Sequence, residues 1–107
     1  MHRLPPALAA ASTPRILELL GDGPGRVLEL GFAGIHAQPL EISGWEVVVV
    51  EPDPEFRARA EARAGAIAHS PEGRFDAVVA PADADLTAVD ASRVIVVERD
   101  GSVREAR

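Results

Sequence analysis

Val47 to Val50 form an unbroken apolar run, and a strand without alternation is one buried on both faces. Arg26–Leu30, Asp76–Ala80 and Arg93–Val97 read as strands of the same kind. Ala66–His69 gives a shorter, weaker one. Helical patterns fill the intervals. Up to Leu20 the chain reads as helix, with Thr13 as cap, Pro14 at the first position and Ile16, Leu17 and Leu20 on one face. The glycine-rich stretch Gly21–Gly25 stops it. A second helix is expected over Ile35–Ser43. Pro39 requires it to be short, kinked or to begin close to that residue, because an interior proline removes a hydrogen bond and clashes with the preceding turn.

The clearest helix is Pro54–Ala64. Asp53 caps it, Glu55 suits its positive end and Gly65 sits at the closing position. Its pattern turns Phe56 and Ala60 inward and Arg57, Arg59 and Arg63 toward water, with Glu55 and Arg59 as an i,i+4 pair. Asp83–Val89 has room for about two helical turns, with Asp83 or Asp85 as cap. After Glu98 the chain becomes polar and is expected to fray.

Strands alternating with helices imply an α/β fold. The expectation is a small Rossmann-like, doubly wound, mostly parallel sheet of four to five strands with helices on both faces and right-handed crossovers. The chain of 107 residues is expected to be one domain. It divides into a helical segment (1–25), a cofactor-binding-like core (26–98) and a tail (99–107).

Composition narrows the function. Seventeen acids against 11 bases give a net charge of −6, which repels phosphate backbones, so no nucleic-acid partner is expected. There is no cysteine, hence no thiolate metal site or cysteine nucleophile. His2, His36 and His69 are too scattered to suggest a metal centre. No apolar run approaches the roughly 18 residues of a membrane span, and Met1–Ala11 lacks the continuous apolar stretch of a signal peptide. A cytoplasmic protein is the expectation. Trp45, opening the second strand, reads as a packing residue at the domain edge.

Val27-Leu28-Glu29-Leu30-Gly31-Phe32-Ala33-Gly34 resembles the first motif of the class I S-adenosylmethionine-dependent methyltransferases: a strand, an acid, a spacer and a glycine turn. Glu51 ends the second strand roughly 20 residues after Gly31, as that family's second acid does. Phe75–Ala80 and Arg93–Val97 resemble its fourth and fifth strands. The similarity covers about residues 26–98. It implies S-adenosyl-L-methionine as cofactor, held by Glu29, Gly31, Phe32, Ala33, Gly34, Glu51 and Pro52. Glu29 would lie near the amino-acid moiety, Glu51 would take the ribose hydroxyls and Pro52 would lie against adenine. The resemblance names no catalytic residue and no methyl acceptor.

The sequence also departs from that family. Ala33 and Ile35 stand where its second and third glycines are expected, and Ala66–Ala68 is followed by His69 rather than an acid. Ala80-Pro81-Ala82-Asp83 lacks an Asn-Pro-Pro-Tyr type motif. The two further strands and the substrate-binding insertions usual in the family are not found after the fifth strand. Three functions therefore stay open: a methyltransferase-like cofactor binder, a non-catalytic Rossmann-like scaffold, and a nicotinamide-nucleotide module. For the last, the fingerprint glycines would fall at Gly31, Ala33 and His36. A homodimer, through the edge of the fifth strand or the first helix, or a larger partner subunit is expected to complete the protein.

Overall fold

A computed structural model describes residues 3–64 and 67–107. Arg26–Leu30 (β1) lies inside the sheet, with Glu46–Val50 (β2) on one side and Arg74–Pro81 (β4) on the other, both parallel to it. Ile67–Ala68 (β3) extends the sheet beyond β2, and Asp90–Val97 (β5) extends it beyond β4. Val103–Glu105 (β6) closes the far side, antiparallel to β5. The order is β3-β2-β1-β4-β5-β6. Strand order reverses between β1 and β4, and in open α/β sheets that crevice at the carboxyl ends of the strands is where ligands bind.

Among the described residues the sheet thus has six strands where four to five were expected. The extra strand comes from the segment expected to fray. Its polar residues are turn and edge chemistry: Gly101 adopts φ 88°, and Asp100 accepts from the backbone N–H and hydroxyl of Ser102. Arg93 on β5 then holds Glu105 on β6 at 2.7 and 2.8 Å and the Leu19 carbonyl at 2.7 Å. The edge of β5, expected to be free for self-association, is paired.

Four helices flank the sheet among the described residues: Pro6–Ala11 (α1), Thr13–Leu20 (α2), Ala37–Ile42 (α3) and Pro54–Arg63 (α4). Their buried side chains, among them Ile16, Leu20, Leu40 and Ala60, all join one layer with Val27, Val49, Val79 and Ile95. The opposite layer, built on Leu28, Val50, Phe75 and Val78, is covered by Ala84, Leu86 and Val89. Those residues lie in the β4–β5 connection, which is not helical. The expectation of helices on both faces is corrected on this point. Asp85 does not cap a helix; it accepts from the backbone N–H and hydroxyl of Thr87, an arrangement that competes with helix formation.

Local details follow from residue chemistry. Ser12, rather than Thr13, occupies the position before α2. Because α3 starts at Ala37, Pro39 falls in its first turn, where a missing N–H is no loss. Asp53 caps α4 as expected, accepting from the Glu55 N–H at 2.9 Å. Arg59 lies over the Phe56 ring at 5.2 Å, and Arg63 donates to the Ala33 carbonyl at 3.3 Å. The expected closing role of Gly65 and the start of the third strand at Ala66 lie outside the described residues. Among the described residues no helix is long and apolar enough to cross a membrane.

Candidate functional site

The chain leaves β1 through Gly31, whose φ of 83° is accessible to glycine at little cost. Ala33 follows with φ 54° and Gly34 with φ 76°. A turn this tight leaves backbone N–H groups without helical partners, and a buried acid supplies the acceptors. Glu29, fully buried, takes the Gly34 N–H and the His36 N–H, each at 2.6 Å. Burial raises its pKa to about 7, although both N–H bonds oppose the rise by favouring the ionised form. Gly34 packs on α4, where an added Cβ would lie 3.4 Å from the Ala60 carbonyl oxygen. His36 is fully buried behind the turn, its Nδ1 2.8 Å from the Thr13 hydroxyl, and burial lowers its pKa to about 4.

Glu51 follows the four valines of β2, which carry it to the carboxyl end of the sheet beside this turn. Its carboxylate accepts from the Ala33 N–H at 2.8 Å and the Asp53 N–H at 3.0 Å. Both its oxygens also receive the Arg3 guanidinium, one of them at 3.0 Å. Burial alone would raise its pKa. The hydrogen bonds and charge of Arg3, with the two backbone N–H groups, outweigh that and hold it below the usual carboxylate range.

A cavity of about 340 Å³ opens over these residues. Gly31, Phe32, Glu51 and Pro52 line it, together with Asp53, Asp83 and Asp85 and with Arg3 and Leu4. A larger open groove of about 650 Å³, bordered by Pro81, Asp83, Glu98 and Asp100, shares Arg3 and Leu4 with it. Of the seven residues expected at a cofactor site, four therefore meet at one cavity. Ala33 lines a smaller neighbouring recess of about 50 Å³ and reaches the site through its N–H bond to Glu51. Glu29 and Gly34 lie beneath, shaping the turn rather than lining the cavity.

The same architecture occurs in solved structures. No protein-family model matches the sequence, and no curated protein does. A glycopeptide N-methyltransferase, MtfA, matches over 82% of this chain with a TM-score of 0.59 and 17% identity. A Thermoplasma acidophilum protein, 1320, matches over 83% with a TM-score of 0.59 and 20% identity. The fold is methyltransferase-like. The chain covers 52% of the first structure and 58% of the second, little more than half of either.

Within this methyltransferase-like fold, sequence reasoning missed Arg3, Leu4 and Phe56. Arg3 reaches Glu51 across 48 positions and stacks over Phe56 at 3.8 Å. One signal was available: a buried carboxylate needs a cation or several donors. With 11 bases in the chain, that requirement does not select which one.

Proposed function

We propose that the chain binds S-adenosyl-L-methionine in the cavity beside Gly31, with the ribose hydroxyls on Glu51 and adenine against Pro52. The observation that carries this reading is the buried Glu51 carboxylate at the end of β2, steadied by the Ala33 and Asp53 N–H groups in the lining of the cavity. Two parallel donors already converge on it, from one guanidinium, and two vicinal hydroxyls match that demand. The three aspartates of the lining favour a cationic ligand such as a sulfonium. When bound, the cofactor would supply an activated methyl group. The chain's own residues would orient its nucleoside. The acceptor and the groups that hold it belong outside this reading, and a partner subunit supplying them is part of the proposal.

Calorimetric titration with S-adenosylmethionine and S-adenosylhomocysteine tests it. Dissociation constants in the micromolar range, about −8 kcal/mol, are expected, with at least a tenfold loss in Glu51→Ala. Equal binding by Glu51→Ala would place the ligand elsewhere.

A second reading has its own observation. Arg3 already satisfies Glu51 within the chain, and Ala33 and Ile35 replace glycines in the turn. A scaffold that has lost its ligand and acts through self-association or a partner would look like this. It is favoured if neither ligand binds nor raises the melting temperature at millimolar concentration, in the wild type or in Arg3→Ala.

A further inference from the structure

Arg3–Pro5 precedes α1 without helical or strand structure and borders the site. Arg3 and Leu4 line the cavity over Glu51, and Pro5 joins them along the larger groove. We propose that Arg3–Pro5 is a strap that closes this cavity, with the Arg3 guanidinium occupying on Glu51 the place of a nucleoside's hydroxyl pair. The inference rests in part on the adenosyl-ligand reading above.

Three observations converge. The guanidinium engages both carboxylate oxygens, so no other bidentate donor can use them while it stays. Its Cζ lies over the Phe56 ring of α4, 3.8 Å from the ring centre, a second anchor independent of the carboxylate. The Glu51 side chain is 0% exposed and the Arg3 side chain 29% exposed, so the arginine approaches from the open side. A buried carboxylate without a counter-charge is costly, which gives the closed form its stability. The Arg3 guanidinium and Leu4, half-buried against the core, hold the strap, and the Pro5 carbonyl, which accepts the Ala9 N–H of α1 at 3.0 Å, is the point about which Arg3 and Leu4 swing away. A ligand whose binding needs that departure has its affinity reduced by the fraction of molecules that are closed.

Trypsin tests the strap without any ligand, because it cuts the Arg3–Leu4 bond only when the Arg3 side chain is free to enter the protease. Cleavage of the full chain is followed by the mass of the product beginning at Leu4. Where opening is fast, its rate tracks the open population, and an increase of about tenfold is expected in Glu51→Gln and in Phe56→Leu. The second variant leaves the carboxylate and its backbone partners in place, and circular dichroism confirms that each variant is folded. Equal cleavage rates in wild type and folded Phe56→Leu overturn the proposal. Calorimetry with S-adenosylhomocysteine supplies the second arm. Arg3→Ala is expected to bind about tenfold more tightly than wild type. Binding by both with equal affinity also overturns the strap. If neither binds while cleavage still depends on Glu51 and Phe56, the strap stands and the adenosyl-ligand reading falls.

Discussion

Glu29 and His36 share one buried turn, and their titrations pull stability in opposite directions. Burial raises Glu29 to about 7, so the folded chain holds a proton there that the unfolded chain releases above about 4.5. Its contribution is complete below that value and is lost as pH rises toward 7. Burial lowers His36 to about 4, so the unfolded chain takes up a proton below about 6.5 that the folded chain refuses. That contribution is complete above 6.5 and is lost as pH falls toward 4. Each amounts to about 3 kcal/mol. Between pH 4.5 and 6.5 they offset one another, and the wild type is expected to have a nearly flat stability profile. Glu29→Gln should lose stability as pH falls through this window, and His36→Gln should lose it as pH rises. Thermal melts across pH 4.5–7.5 check this, and parallel profiles for all three proteins would sink it. Ala33 offers a simpler test. Its φ of 54° costs an L-residue roughly 1–2 kcal/mol, part of which glycine's extra unfolded-state freedom would cancel. Ala33→Gly is expected to be neutral or more stable, by up to about 1 kcal/mol in denaturant titration. Gly31 and Glu51 were singled out by a family resemblance rather than by their own chemistry, and the structure places both on one cavity. The bonds from the Gly34 and His36 N–H groups to Glu29 were not legible, since backbone donors are present in any sequence.

The elements were legible where their chemistry is local. The β2 valines could serve only a buried strand, and Asp53-Pro54-Glu55 could open only a helix. Residues 82–89 and 99–107 misled for the same reason. Aspartate, threonine, serine and glycine were read as a helix cap in the first segment and as a fraying tail in the second, whereas they form turns in both. What decides between those outcomes is nonlocal. Leu86 and Val89 have an uncovered layer to lie on, and β6 has an edge to pair with. That edge makes a prediction. Besides the β6 ladder, Val94 of β5 bonds the Arg107 carbonyl at 2.6 Å and the Ala106 N–H at 2.7 Å. A variant lacking residues 99–107 exposes these groups, and unpaired strand edges recruit other chains. Light scattering is expected to show dimers or larger species for that variant, growing with concentration. A concentration-independent monomer would show that β6 does not protect the edge.

At the scale of the molecule, the parallel strands carry packing residues at one end and the candidate site at the other. Glu46, Arg26 and Trp45 stand at the amino ends, and Gly31, Glu51 and Pro81 at the carboxyl ends. Trp45 is the only tryptophan in a chain with no tyrosine. It is 8% exposed, and its indole N–H donates to the Gly21 carbonyl at 2.9 Å. From Trp45 to Glu51 the chain runs the length of β2 and one step more, roughly 20 Å at about 3.3 Å per residue. The protein's near-ultraviolet emission is therefore a beacon at the base of the sheet. Denaturant should redden it as the Gly21 junction opens, whereas a ligand seated on Glu51 should leave its wavelength unchanged. A spectral shift during a ligand titration would mean that the sheet transmits the event along its whole length, making β2 a signal line as well as a support.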